Sequence, residues 1–438
     1  MNMNIYIETY GCQMNVADTE LIKTILNRAG HKVVENPEDA NIFFMNTCSI
    51  RENAENKIIH RLDNIKPIKQ KKEQFIVGIL GCMAEKVRDN FIKNYPIVDI
   101  VVGPDEYRNL PQYIDKALQG GKGIGVKLSR VETYDDIIPT RDNNLLAQIS
   151  IMRGCDKFCS YCVVPFTRGR ERSRNFDSII NEIKQLAEQG YKEVTLLGQN
   201  VNSYRFENKD FADLLEAAAV AAPKMRIRYT TSHPIDLSDK LLEVMAKYDN
   251  ICKYLHLPVQ SGSNRILQLM NREYTIEHYL RIIEKAKTLM PDIAISTDII
   301  AGFCTETDED HLATLNLMNA VKYDGAYMFK YSPRENTKAY KMVDDVPDII
   351  KTRRLQEIID LQQKHSLENN QKLVGQKQII LVEDFSKKSN NYVIGRTDNN
   401  KSTIVELNGN IKFGDLIEVE IEKVTSATLF GKYLKHVE

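Results

Sequence analysis

The sequence has no uninterrupted apolar run of the ~18–20 residues that a membrane-crossing helix requires, so no membrane span is expected. Residues 1–10 lack a basic stretch followed by an apolar one, which argues against a secretory leader and for a cytoplasmic protein. Charge of one sign is also missing: 59 basic and 60 acidic side chains leave a net charge of -1. The molecule as a whole therefore has no field to draw in a polyanion, and any nucleic-acid binding must come from local patches. Internal repeats and low-complexity segments are absent. What remains is the composition of an ordinary globular chain, 42% hydrophobic and 27% charged over 438 residues. That length predicts roughly two to four domains. The chain also has eight cysteines. In a reducing cytosol these read as metal ligands, nucleophiles or core residues rather than as disulfides.

Short β-branched runs at residues 5–8, 42–45, 75–80 and 97–102 read as strands, and amphipathic stretches at 17–28 and 106–118 as helices. This alternation predicts a parallel α/β sheet domain over residues 1–125. The glycine-rich stretch 120–125 loosely matches a dinucleotide loop, but no helical pattern follows it, and it reads as a turn into the next domain. The acidic and polar residues 132–144 read as a linker. From residue 147 the alternation restarts, with strands at 147–152, 193–197, 226–230, 253–257, 293–299 and 326–331, and helices such as 176–189, 238–247, 276–289 and 308–321. Six βα units predict a partial TIM-type (βα)6 barrel over residues 141–372, closed by a charged helix at 347–372, with its chemistry at the C-terminal strand ends. Runs at 376–382, 392–397, 403–407 and 416–421, separated by Ser, Asn and Gly turns, predict a small all-β barrel over residues 373–438.

Cys155, Cys159 and Cys162 lie together just after the first barrel strand, in Arg153-Gly154-Cys155-Asp156-Lys157-Phe158-Cys159-Ser160-Tyr161-Cys162. Iron–sulfur clusters are held by cysteine thiolates, usually four, so three leave one iron open to a small molecule. A structural zinc site takes four ligands in closed tetrahedral geometry, and no fourth Cys or His lies nearby in sequence. Burial as small hydrophobes is the other alternative. The pattern Cys-x-x-x-Cys-x-aromatic-Cys, with Tyr161 as the aromatic, after the first strand of a (βα)6 pattern resembles the radical S-adenosylmethionine (SAM) superfamily. That resemblance implies a [4Fe–4S] cluster whose open iron chelates the amino and carboxylate groups of SAM. It further implies reductive cleavage of SAM to a 5′-deoxyadenosyl radical, with the protein supplying placement and exclusion of water.

Cys12, Cys48 and Cys82 are far apart in sequence but each directly follows an expected strand. In a parallel sheet the strand ends of one polarity share an edge, and ligands bind beyond it. Three separated cysteines would meet there, and Gly11 and Gly81 allow the sharp turns. A second cluster is expected on this triplet, with three buried core cysteines as the alternative. Cys252 and Cys304 are isolated in apolar surroundings and read as packing residues.

The two triplets together resemble the methylthiotransferases, a family that joins an N-terminal cluster domain, a radical SAM core and a C-terminal TRAM domain. The resemblance covers essentially the whole chain. Thr9-Tyr10-Gly11-Cys12-Gln13-Met14-Asn15 and Cys162-Val163-Val164-Pro165-Phe166-Thr167-Arg168-Gly169-Arg170 are similar to the tRNA-modifying MiaB branch. The branch acting on a ribosomal protein typically has Pro-Lys in place of Gln13-Met14, and the branch acting on threonylcarbamoyl-adenosine has Lys-Val. The resemblance implies replacement of the hydrogen at C2 of N6-isopentenyladenosine, next to the anticodon of tRNA, by a methylthio group. It implies two [4Fe–4S] clusters, two SAM molecules per turnover, an electron donor such as flavodoxin, and a monomer. Leu197-Gly198-Gln199-Asn200, His256-Leu257-Pro258-Val259-Gln260 and Ile300-Ala301-Gly302-Phe303 also look like the family. With Phe158 and Tyr161 of the cysteine loop, they imply SAM contacts at Gln199, Asn200, Gln260 and Gly302, although such amides also cap loops readily. Two positions depart from the pattern: Cys304 stands where Pro is usual and Arg153 where Glu is common.

Beyond the loop, Arg168, Arg170, Arg172 and Arg174 are placed to contact RNA phosphates close to the chemistry. Lys66, Lys69, Lys71 and Lys72 form another basic run, better read as a solvated face. The rival classes are a methylthiotransferase acting on protein or on threonylcarbamoyl-adenosine, and a noncatalytic zinc or iron–sulfur RNA-binding protein.

Overall fold

The computed structural model describes residues 2–48, 52–72, 74–387, 389–407 and 409–437. Strands β1 (Asn4–Thr9), β2 (Lys32–Val33), β3 (Ile42–Thr47), β4 (Ile76–Gly81), β5 (Ile100–Val102) and β6 (Gly123–Gly125) form one sheet in the order β2-β1-β3-β4-β5-β6. Every pairing in it is parallel. Helices α1 (Gln13–Arg28), α2 (Glu52–Lys71), α3 (Cys82–Asn94) and α4 (Leu110–Leu118) connect the strands. β3 and β4 are buried along their whole length, which is why they read as continuous apolar runs. Consecutive residues face opposite sides. Phe44 and Leu80 enter one apolar layer with Ile5 and Leu26, while Phe43 and Ile79 enter the other with Met45 and Leu62.

Two expectations for this domain are corrected. Residues 123–125 are an edge strand rather than part of a turn, and their glycines admit a neighbour: a Cβ on Gly125 would stand 2.5 Å from the Tyr113 ring. Residues 132–144 are no loose linker. Tyr134 and Ile137 are buried in the apolar layer beneath α4, Tyr134 donates to the Pro104 carbonyl at 3.0 Å, and Arg108 pairs with Glu132 and Asp136. Of the lysine run, Lys66 and Lys71 are exposed, while Lys69 pairs with Asp99 and Lys72 donates to the Glu38 and Ala40 carbonyls.

The second domain begins with β7 (Leu146–Ser150), followed by β8 (Met152–Arg153), which pairs antiparallel with β9 (Arg172–Ser173). The cysteine loop and the short helix α5 (Val164–Thr167) lie between β8 and β9. Next come α6 (Phe176–Glu188), β10 (Glu193–Leu197), a hairpin of β11 (Arg205–Phe206) and β12 (Lys209–Asp210), and α7 (Phe211–Ala221). Then follow β13 (Arg226–Tyr229), α8 (Asp239–Lys247), β14 (Tyr254–His256), α9 (Asn264–Leu269), α10 (Ile276–Leu289), β15 (Ala294–Ala301), α11 (Asp308–Val321), β16 (Gly325–Lys330) and α12 (Asp348–Gln371). β7, β10 and β13 pair in parallel, as do β14, β15 and β16, and a bridge between Ile227 and Ile251 joins the two trios. The result is a six-stranded arc open between β7 and β16. α1 of the first domain packs beside β7, where Met14 and Ala17 cover Leu197.

The last domain is a closed barrel in the order β17-β18-β19-β21-β20, built from β17 (Lys377–Ser386), β18 (Ser389–Thr397), β19 (Ser402–Glu406), β20 (Leu416–Val424) and β21 (Leu429–His436). Four of these strands were expected; β21 was not, because apart from Leu429 its side chains are half-exposed or exposed and leave no apolar face to read. This barrel docks on the N-terminal ends of the six-stranded arc. Arg226 and Arg228 of β13 donate to the carbonyls of Ile379, Arg396, Thr397 and Asp398. Buried Glu193, at the start of β10, pairs with both Arg228 and Arg396. Cys252 is buried beside Arg228 at this junction.

Candidate active site

Cys12, Cys48 and Cys82 follow β1, β3 and β4, which are neighbours in the sheet, so one edge carries all three. Gly11 (φ +134°) and Gly81 (φ +90°) make the turns in a region that side chains avoid. The approach is close: a Cβ on Gly11 would lie 2.7 Å from that of Cys48. Cys12 caps α1 and is exposed, whereas Cys48 and Cys82 are buried. The Cys48 side chain, helped by the Arg168 charge and the first amides of α1, lowers the Cys12 thiol to about 6. Burial raises Cys82, although the Arg168 guanidinium stands beside it, Nε 3.1 Å from its Sγ.

The second triplet is gripped by the turn after α9. Ser160 N–H donates to the Met270 carbonyl at 2.9 Å, and the Asn271 amide donates to the Lys157 and Phe158 carbonyls at 3.2 Å. The Arg272 guanidinium lies 3.5 Å from the Cys159 Sγ and donates to the Pro258 carbonyl at 2.6 Å. Phe158 is held at φ +48°, a conformation rare outside glycine. Burial pushes the Cys155 and Cys162 thiols up to about 12, with Cys159 adding to the effect on both.

One carboxylate joins the two sites. Asp18 of α1 is fully buried and accepts from Arg153 and from Arg168, each at 2.8 Å. Burial opposes its ionisation, yet the two arginines hold its carboxyl below the usual range. Arg153 flanks one side of the cysteine loop and Arg168 the other. Arg153, which stands where the family pattern has Glu, also lies over the Tyr134 ring at 4.7 Å.

The residues expected to contact SAM take several places. Tyr161 packs against the apolar cluster of Ile266, Met270, Phe303 and Tyr331, in which Cys304 is also buried. Gln199 accepts from the Gly154 N–H at 2.5 Å and so braces the cysteine loop. Asn200 is buried and donates to Asp236 at 2.7 Å, and its Oδ1 has no partner among the described residues. Gln260 is buried at φ +73°. Gly302 makes room for α12, since a Cβ there would stand 2.3 Å from Lys351 Cγ. Beside the loop opens a cavity of about 590 Å³ whose polar lining includes Asp156, Lys157, Glu171, Ser203, Asp236 and Glu273. Burial raises the Glu171 carboxyl to about 7.

The four arginines beyond the loop separate. Arg168, Arg172 and Arg174 are buried and paired with Asp18, Asp105 and Glu182. Arg170 is exposed, paired with Asp156, and lies 5.1 Å over the Phe158 ring. Of the four, Arg170 is the one open to solvent.

Family descriptions match in three places: "Uncharacterized protein family UPF0004" over residues 4–103, "Radical SAM superfamily" over 149–318 and "TRAM domain" over 371–434. The tRNA-2-methylthio-N(6)-dimethylallyladenosine synthase of Bacteroides thetaiotaomicron is 52% identical, across 98% of this chain and 96% of that protein. The chain belongs to this synthase family. The namesake from Chloroherpeton thalassium is 51% identical over the same shares of both chains. Among solved structures, the radical SAM methyltransferase TsrM of Kitasatospora setae superposes with a TM-score of 0.58 over 75% of each chain at 15% identity, a likeness of fold alone.

As a radical SAM protein this synthase-family member carries a [4Fe–4S] cluster and SAM, and the Cys155 loop fits them: three thiols close enough to perturb one another, beside a buried cation. Among the described residues no three His, Cys, Asp or Glu are grouped as ligands of a single metal ion. A cluster meets each thiolate at a different iron, whereas a zinc ion draws its ligands to one point. Also among the described residues, no helix is long and apolar enough to cross a membrane. The residues that sequence reasoning missed are Asp18, Asn271 and Arg272. A Met-Asn-Arg triplet at a helix end carries no local sign of its target, and Asp18 looks like any acidic residue near a helix start.

Proposed function

We propose that this protein replaces the C2 hydrogen of N6-isopentenyladenosine, next to the anticodon of tRNA, with a methylthio group. The observation that carries this reading is the pair of open cysteine triplets held on either side of Asp18, within a chain 52% identical to proteins named for that product. With cluster and SAM bound at Cys155, Cys159 and Cys162, the barrel end supplies a 5′-deoxyadenosyl radical. Cys12, Cys48 and Cys82 would hold a second [4Fe–4S] cluster, the place for the sulfur that receives a methyl group from one SAM while another gives the radical. The chain's own residues do the positioning. Met270, Asn271 and Arg272 fix the loop, Gln199 braces its first turn, and Tyr161, Asn200 and Gln260 contact SAM, with Phe158 and Gly302 shaping the loop and the wall behind it. Asn200 has a buried oxygen to offer, without a partner among the described residues. Arg170 and Phe158 face the RNA, and the TRAM barrel adds affinity for it, with Tyr392 and Phe413 exposed for stacking. The domains divide at 1–125, 141–372 and 373–438. A flavodoxin-type electron donor, a monomeric state and a cytoplasmic location complete the reading.

The test is an anaerobic reaction with SAM, dithionite and isopentenylated tRNA, followed by mass spectrometry of the nucleosides. A methylthio group on the adenine is expected. Deoxyadenosine without that product would overturn the substrate and leave the ribosomal protein or threonylcarbamoyl-adenosine.

A further inference from the structure

Arg168 belongs to the core domain, at the end of α5, yet it is spent on the first domain. Its Nε faces the Sγ of Cys82, its Nη2 faces Asp18, and its buried Nη1 has no partner among the described residues. A buried guanidinium N–H with no acceptor is costly, so such groups normally face one. Of the two buried guanidiniums that share the carboxylate of Asp18, Arg168 is the one in contact with a cysteine sulfur of the N-terminal triplet. A group held by those thiolates is what its free N–H would meet.

We propose that Arg168 is a positioning residue for the N-terminal cluster: it completes that site across the domain boundary and raises its reduction potential through an N–H···S contact at Cys82. Hydrogen bonds to the sulfurs and nearby charge are among the determinants of cluster potentials, and both act here on the same atom. Arg272 stands toward Cys159 in the same relation within the core domain, so each triplet has one arginine against one sulfur. The inference rests on the reading of Cys12, Cys48 and Cys82 as cluster ligands.

The experiment uses the full chain with Cys155, Cys159 and Cys162 changed to Ala, reconstituted with iron and sulfide. Loading at about four irons per chain, the content of a [4Fe–4S] cluster, tests the cluster reading; failure to load overturns that reading whatever Arg168 does. In loaded protein the midpoint potential is read by EPR-monitored titration for the parent, R168K, R168Q and D18N. R168Q should shift it downward. R168K, which keeps the charge but not the planar fork, should shift it down by less. D18N weakens the same interface but removes a negative charge, so it should shift the potential upward. A purely structural role predicts losses of the same sign in R168Q and D18N, and that result overturns the proposal, as does an unchanged potential in R168Q. If R168Q does not fold, R168K decides: a potential equal to the parent's overturns the inference.

Discussion

The two cysteine triplets solve the same problem by opposite means. Cys155, Cys159 and Cys162 sit on one loop, so the backbone alone keeps them together, and a neighbouring turn only has to grip it. Cys12, Cys48 and Cys82 come from three strands and meet only once the parallel sheet has formed. The first is a local motif; the second is a property of a fold. Their chemistry differs accordingly. The loop thiols lie where burial raises two of them to about 12, while Cys12, exposed at a helix start beside Cys48, is lowered to about 6.

That contrast can be broken most sharply by removing one cysteine from each triplet. Cys82→Ala and Cys159→Ala should both abolish methylthiolated product. Cys82→Ala should still form deoxyadenosine from SAM and dithionite, whereas Cys159→Ala should form none. Equal loss of deoxyadenosine in both would mean that the two sites do not work separately.

The next effect is on stability. Asp18→Ala leaves two guanidiniums buried without their carboxylate, and breaking a buried pair in this way costs about 3–5 kcal/mol. Asp156→Ala breaks the exposed pair with Arg170 and should cost less than about 1 kcal/mol. Urea unfolding of the iron-free protein measures both, and equal costs would place Asp18 outside the role assigned to it.

A third difference concerns pH. A depressed thiol pKa means that the thiolate fills as pH rises through that value. In iron-free protein, alkylation of Cys12 by iodoacetamide should climb from pH 5 to 7 and then level, while Cys162 should still be gaining at pH 9. At pH 7 the ratio of the two rates should be about 10²-fold, after allowing for the weaker nucleophilicity of the more acidic thiol. Peptide mass mapping reads it, and matching profiles would refute the assigned environments. The smallest effect belongs to Arg170→Gln. It should weaken tRNA binding while lowering the slope of log affinity against log salt by about one, as expected for one lost phosphate contact.

Much of this was legible in the sequence. The strands that carry Cys12, Cys48 and Cys82 are short apolar runs, and the carboxyl-end rule for parallel sheets brings their ends together. The fourfold arginine run shows where legibility stops. Adjacent in sequence, the four looked like one patch. In the fold, the chain turns at Gly169 and throws Arg170 outward, while Arg168, Arg172 and Arg174 point inward to carboxylates. Asp18 lies 135 residues from Arg153 and 150 from Arg168, a separation at which no local pattern predicts a pair. Residues 132–144 misled for a similar reason: their polar side chains suggest a tether, but Tyr134 and Ile137 are anchors.

The docking of the last barrel has a consequence for dissection of the molecule. Residues 397–401 close the floor of the six-stranded arc: Asp398 accepts from the Lys253 amide and Lys401 pairs with Asp324. Cutting the chain after α12 would therefore strip the carbonyl acceptors from Arg226 and Arg228 and leave Glu193 with Arg228 as its remaining cation of the two. A truncated enzyme that loses activity would be reporting an opened underside as much as a lost grip on RNA. Single substitutions at Tyr392 or Phe413, exposed on the far barrel, are the cleaner incision.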